Sequence, residues 1–330
     1  MDPLTHALLG GATASALQPA KHSRIALLAG GVAATLADLD ILIQSAQDPL
    51  LQLEYHRQFS HALVFTPIGA LLATLLLWPW LRHHITFRQG WYITSLGYLT
   101  AGLLDACTSY GTQLLWPFTT TRFAWSIIPV VEPVTTLWLL WNLQRAYRQQ
   151  TPYWSRLALL GLACWFSLAI LQQHRASQLL QTTTQGHTIQ DLQVKPTMMN
   201  LILWRGVYKY DGQMYSVALR PALFNGTPTL YPGEQRPLVQ TYPNIPENSI
   251  LAQDIQRFAT LSEHYVVWHP QRPNWLGDGR YALLPTRIAP LWGITINPQQ
   301  ADQHAPFDEF RDLTPQTGKL FLHMLLGQPL

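Results

Sequence analysis

Apolar residues gather in long uninterrupted runs in the first half of the chain and break into short alternating runs in the second. The long runs cover roughly residues 25–43, 61–81, 91–107, 124–144 and 155–172. Each is near the ~20 residues a helix needs to cross hydrocarbon. A shorter Gly- and Ala-rich run, 4–17, predicts a re-entrant or tightly packed short helix. Pro67, Pro79 and Pro129 fall inside these runs, which is tolerable where neighbouring helices shelter the freed carbonyls. From about residue 196 the period shortens. Leu201–Tyr210 and Met214–Leu219 flank Asp211-Gly212, a hairpin signal because both turn positions must take positive φ. His264–Trp268, Tyr281–Leu284 and Leu291–Ile296 predict further strands, and 252–261 a short helix. The predicted architecture is an all-α multi-helix membrane bundle over residues 1–172, followed by a strand-rich soluble domain, α+β or mainly β, over 173–330.

Charge sharpens this division. Residues 1–172 carry 16 Asp, Glu, Lys and Arg, whereas the shorter stretch 173–330 carries 23. Thirteen Trp and thirteen Tyr suit a membrane protein, since both rings favour the boundary between lipid and water. The net charge of +3 includes no basic run of the kind nucleic acid demands. Seven basic residues fall in connections on one side of the bundle: Lys21, Arg24, Arg82, Arg88, Arg145, Arg148 and Arg156. The alternate loops hold only Arg57 and Arg122. The positive-inside rule makes the richer side cytoplasmic, which places the 44–60 and 108–123 loops and the domain after residue 173 in the periplasm. Cys107 and Cys164 lie in apolar segments and predict no disulfide framework. The first residues lack the positive n-region of a cleaved signal peptide, so the N-terminus is expected to be retained.

The candidate chemistry lies in the apolar half. Of its seven acidic residues, Asp38, Asp40, Asp105 and Glu132 sit in or at the ends of apolar segments. A carboxylate in hydrocarbon is costly and normally faces a cavity and a partner. The topology above brings these ends to one side, together with His6, His56 and His61. Imidazole with carboxylate suits a divalent ion, zinc first, with manganese or iron as alternatives. Such an ion acidifies a water and polarises a carbonyl or phosphoryl oxygen. Asp38 and Asp40, two apart, would leave a regular helix in different directions; at least one should lie on a frayed end or support the other. Arg57 reads equally as an interfacial charge or a clamp on an anionic substrate. His83 and His84, beside Arg82, read as solvated loop residues.

The blocks Leu4-Thr5-His6, Ala37-Asp38-Leu39-Asp40, His56-Arg57-Gln58-Phe59-Ser60-His61 and Gly97–Pro117 resemble the YdjM-like family over about residues 1–145. These are LexA-associated inner-membrane proteins assigned as metal-dependent hydrolases. The resemblance implies a helical membrane hydrolase whose metal ligands are His6, Asp38, Asp40, His56, His61 and Asp105. Where the family often has His one helical turn before the Asp, this chain has Ala101 before Asp105. With that ligand absent, either fewer ions bind, or Glu132 or another group substitutes, or activity is lost. A looser similarity to zinc-dependent phospholipase C-type helical folds suggests phosphoester substrates.

The resulting expectation is a multi-pass inner-membrane hydrolase holding about one ion per chain. It would act on a phosphoester or lipid-like substrate, with Asp38 or Asp40 as general base and Arg57 beside them. Two rivals remain: a non-enzymatic membrane scaffold or sensor with a structural metal site, and an ion or proton relay. An open coordination position facing a cleft favours the hydrolase, closure by four protein ligands the structural site, and residues strung across the bilayer the relay.

Overall fold

The computed structural model describes residues 1–184, 188–222, 226–242 and 244–330. They form two compact units, one of residues 1–43 and 55–171, the other of residues 44–54 and 172–330.

The first unit is helical. It comprises α1 (Pro3–Ala16), α2 (Ala20–Thr35) continued by a 3-10 stretch (Leu36–Leu42), α4 (Thr66–Leu81), α5 (Phe87–Ala106), α6 (Pro133–Gln149) and the first part of α7 (Tyr153–Thr183). In sequence, the short α3 (Leu51–Tyr55) runs across the boundary between residues assigned to the second unit and those assigned to the first. Among the described residues, three segments are long and apolar enough to cross a membrane: Ala20–Leu42, Leu63–Leu81 and Tyr153–Thr182. Glycine lets the helices approach closely. A Cβ on Gly30 would meet that of Ala14 at 2.3 Å, and one on Gly97 would lie 2.2 Å from the Gly30 carbonyl oxygen.

Helix ends sit where capping chemistry permits. Asp2 caps α1 by accepting from the Thr5 N–H at 2.9 Å, with Pro3 in the first turn. Thr86 and Gln89 form a capping box for α5. At one end of the bundle Arg24 donates to the Tyr147 carbonyl (3.0 and 3.2 Å) and Arg156 to that of Ala16 (2.9 Å). These bonds tie together the ends of α1, α2, α6 and α7 that carry the basic residues. The opposite ends carry His6, Asp38, His61 and Asp105.

The run 124–144 is not one helix. It divides into a loop and α6, because backbone groups before Glu132 bond elsewhere. The N–H groups of Trp125, Ile127 and Ile128 donate to carbonyls of Ala106 and Cys107, at the end of α5. Pro129 therefore lies in that loop.

The second unit holds two antiparallel meanders. One runs β1 (Asp191–Pro196), β2 (Trp204–Tyr210), β3 (Gln213–Arg220), β4 (Thr229–Pro237); the other runs β5 (Val266–Trp268), β6 (Trp275–Asp278), β7 (Trp292–Thr295), β8 (Phe307–Glu309). The hairpin at Asp211-Gly212 forms with both residues at positive φ, 49° and 68°. Helix α8 (Ile250–Leu261) separates the sheets in sequence, and α9 (Pro315–Leu326) buries Met324 against Leu203 and Ala218.

Tyr281–Leu284 is not a strand. Carbonyls of this region point instead at the buried guanidinium of Arg205, which donates to Gly279, Arg280, Leu284, Pro285 and Arg287 at 2.8–3.1 Å. That collection satisfies acceptors a ladder would otherwise need. Conversely β4 contains Pro232 and Gly233 yet pairs, as an edge strand with a register shift opposite Tyr215 and Val217.

Residues 44–54 pack in the second unit. Leu50 is wholly buried among Leu251, Ile255 and Phe258. Arg257 on α8 binds Asp48 (2.9 Å), Glu54 (2.7 Å) and Asp254 (2.8 Å).

Candidate metal centre

The site is built from ends of elements. His6 lies in the first turn of α1, Asp38 and Asp40 on the 3-10 stretch, His61 on a single 3-10 turn (Phe59–His61), and Asp105 in the last turn of α5. On the 3-10 stretch after Thr35 the two aspartates diverge, as residues two apart do on any helix. Asp38 turns towards His6 and His61, whereas Asp40 turns towards His56, Arg57 and Ser60.

Four side chains converge. His6, Asp38 and Asp105 offer ligand atoms all within 4.8 Å of one another. The His6 Nε2 is 3.2 Å from Asp105 Oδ1 and 4.0 Å from Asp38 Oδ2. The His61 Nε2 is 3.2 Å from Asp105 Oδ2 and 3.4 Å from Asp38 Oδ1. Ligand atoms about 2.0–2.2 Å from a tetrahedral ion stand about 3.3–3.6 Å apart, so most of these separations already suit a shared cation. Each carboxylate divides its oxygens, one towards His6 and the other towards His61.

These side chains also lack hydrogen bonds that buried polar groups ordinarily make. His6 Nδ1, Asp38 Oδ2 and His61 Nε2 are buried without a hydrogen-bond partner. Such groups are costly in a protein interior, and a divalent cation would satisfy the last two directly. The donor set therefore fits a metal. Existing positive charge is also drawn in: the Met1 amino group lies against Asp105 Oδ1, and Arg57 Nε is 2.9 Å from Asp105 Oδ2. The side chains of His6, His61 and Asp105 have no exposure, whereas that of Asp38 is 21 % exposed. Asp38 is thus the member of the four that opens to the surface.

Around these four sits a supporting set. Asp40 Oδ1 faces His56 Nδ1 at 2.9 Å, and Oδ2 accepts from the Arg57 N–H and the Ser60 hydroxyl, both at 2.8 Å. Asp40 Oδ2 also lies 3.3 Å from His61 Nδ1. A carboxylate on one ring nitrogen leaves the other with its lone pair for an ion, the usual device for orienting a histidine ligand. Asp40 and His56 are thus placed behind His61 and not among the converging four. Arg57 has a left-handed backbone, φ 60°, which is costly for a residue with a side chain and is held here by the Asp40 bond. Its guanidinium is buried, donating to the Thr108 hydroxyl at 3.0 Å. Arg57 is no interfacial surface charge.

Other expectations resolve simply. Glu132 caps α6, accepting from the Thr135 N–H at 2.5 Å, and no described contact joins it to the cluster. Ala101 is fully buried among Ala33, Ala37 and Ala70. His83 and His84 are exposed.

Sequence reading missed a second acidic–histidine group, Asp48, Asp254 and His304, which also meets a ligand-distance criterion. Its cation is already present. Arg257 bonds both carboxylates, and Asp254 further accepts from the Ala305 N–H at 2.8 Å and faces His304 Nδ1 at 3.0 Å. We read it as an ion-pair anchor. Its parts are some 200 residues apart in sequence, and no local spacing announces them.

No solved structure matches the chain. The inner membrane protein YbcI of Escherichia coli K12 is 32 % identical over 108 residues, 32 % of this chain and 61 % of that protein. The chain thus spans less than two thirds of the length of this relative. The YdjM inner membrane protein family matches residues 1–176, which hold the whole cluster. On that match over more than half its length, the chain belongs to the YdjM inner membrane protein family.

Proposed function

We propose that the chain is a membrane-bound, metal-dependent hydrolase whose centre takes two divalent ions, zinc first among candidates. The observation that carries this reading is the division of the carboxylate oxygens. Asp38 and Asp105 each turn one oxygen to His6 and the other to His61. A single ion bound by all four side chains would have a complete tetrahedral shell, the mark of a structural site. His6 and His61, with Asp38 and Asp105 facing both, would hold two ions, and a two-metal centre would supply an activated water for hydrolysis. This departs from the single ion that Ala101 suggests, since Asp38 and Asp105 each offer an oxygen to both imidazoles.

When bound, such ions acidify a water and polarise the oxygen of a scissile phosphoryl or carbonyl group. The chain's own residues do the rest. Asp40 orients His61 through its Nδ1 side, with Ser60 and the Arg57 N–H fixing Asp40 in turn. Arg57 holds a buried positive charge at the edge of the cluster, suited to an anionic phosphoester. Asp38 is the accessible member of the four, so water and an anionic substrate would enter on its side.

The reading extends to location. Basic residues collect at the other end of the bundle, so the cluster end and residues 173–330 are periplasmic. Gathering at one end also disfavours a relay, which would thread the bilayer.

The test uses detergent-purified full chain and bis(p-nitrophenyl) phosphate. Turnover should be abolished by chelator, restored by zinc or manganese, and lost in Asp38→Asn. Turnover that survives both chelation and Asp38→Asn would reject the reading.

A further inference from the structure

Beside the cluster runs a groove of about 270 Å³, just under the roughly 300–1,000 Å³ of drug-sized ligand sites and narrow enough to suit a single chain. One wall is the 3-10 stretch with Leu36, Leu39 and Ile43; the other carries Phe59, Phe65 and Leu72. Tyr98 forms the floor. It lies against Gly69, where a Cβ would strike the Tyr98 ring at 2.2 Å, so the glycine leaves room for the ring. Phe65 packs edge-on against Phe59, with centroids 5.4 Å apart. The lining is apolar except at one place, where Asp40 and Ser60 contribute.

Two observations say what fills it. The walls belong largely to Ala20–Leu42 and Leu63–Leu81, two of the membrane-length segments, and the rim residues Leu39 and Leu72 are 52 % and 56 % exposed. An apolar groove opening on such surfaces meets hydrocarbon, not water. Its polar place is not a random one either. Asp40 and Ser60 are the groups that hold His61 Nδ1, at 3.3 and 2.9 Å. A chain lying in the groove therefore brings the polar linkage at its end beside His61 and the paired carboxylates.

We infer that the substrate is a membrane amphiphile, one hydrocarbon tail of which lies in the Leu36–Phe65–Leu72 groove while its phosphoester head reaches the His/Asp cluster. The assignment rests on the hydrolase reading and adds the substrate class. It explains why a water-using site is built at the ends of membrane-spanning segments: the tail stays in hydrocarbon while the head enters the polar end.

The experiment places the full chain in phosphatidylcholine nanodiscs doped with a phosphatidic acid bearing a diazirine in one acyl chain. Photolabelled residues are mapped by mass spectrometry, and bound metal is counted on the same samples. Label should concentrate on Leu39, Phe65 and Leu72 over Leu75, Leu76 and Leu160, which are lipid-facing but outside the groove. Leu72→Trp fills the groove and should cut that labelling about tenfold, the cost of burying a few fewer methylenes. Leu75→Trp should leave it unchanged, and metal content should be the same in both. Leu72→Phe serves if the tryptophan variant does not fold. Label spread evenly over the lipid-facing residues, or unaffected by filling, overturns the groove while leaving the hydrolase reading standing. Focused label on a protein that takes up no metal overturns the hydrolase reading and with it the substrate assignment.

Discussion

At the scale of single residues, the account rests on which nitrogen and which oxygen face the cluster. Asp40 is tested by Asp40→Asn, which keeps the shape but offers a weaker partner to His61 Nδ1. Loss of a group that orients a ligand typically costs 10–100-fold in metal affinity, measured by competition with a chelator; unchanged affinity would show that Asp40 does not act through His61. Gly102 is a second check, because a Cβ there would stand 2.2 Å from the His61 carbonyl oxygen. Gly102→Ala should displace the 59–61 turn, lower metal affinity and cost about 1–3 kcal/mol in stability, read by thermal unfolding in detergent. Much of the site was legible in sequence because carboxylates in hydrocarbon are rare enough to be conspicuous. The roles within it were not. That Asp38 joins the cluster and Asp40 supports it depends on which way each leaves the 3-10 stretch, which no hydropathy pattern encodes. Nor did Arg57 disclose that its backbone is left-handed and its guanidinium buried.

Elements were legible where composition and backbone agree. The hairpin at Asp211-Gly212 and helix α8 follow directly from turn chemistry and apolar spacing. The run 124–144 misleads because apolar residues also serve in a loop whose N–H groups bond to the end of α5, and Tyr281–Leu284 misleads because Arg205 collects carbonyls there. Residues 44–54 are the least legible element. They look like an interhelical loop, yet Leu50 and the Arg257 bonds make them part of the second unit. Arg257→Ala should destabilise that unit by on the order of 1–3 kcal/mol. That is below the figure for fully buried pairs, because Arg257 remains partly in contact with water. Acid should act at the same place. Burial alone would raise the Asp48 carboxyl, but the Arg257 hydrogen bonds outweigh it and hold Asp48 below its usual range. A carboxylate lowered by folding contributes stability above its unfolded pKa of about 3.9, and the contribution is lost as pH falls through the lower folded-state value. Chain stability should therefore carry an acid-labile part below about pH 4 that is reduced in Arg257→Ala. Identical acid curves for the two proteins would show that this ion pair contributes nothing.

For the whole molecule, the proposed orientation rests on the basic residues and the His/Asp cluster lying at opposite ends of the helical unit. A reporter active only outside the cytoplasm, fused after Leu330, should be active; activity from a cytoplasm-only reporter would turn the cluster inward as well. The bundle, its membrane character and the strand-rich second unit follow from the distribution of apolar and charged residues. The number of ions does not, because it depends on how Asp38 and Asp105 divide their oxygens between two imidazoles. The most direct measurement is the metal content of the detergent-purified full chain, by elemental analysis against protein concentration. The account predicts about two divalent ions per chain, with His6→Ala and His61→Ala each retaining fewer than the intact protein. One ion per chain, lost together in either variant, would contradict the two-ion centre, and no bound ion would contradict the metal centre altogether.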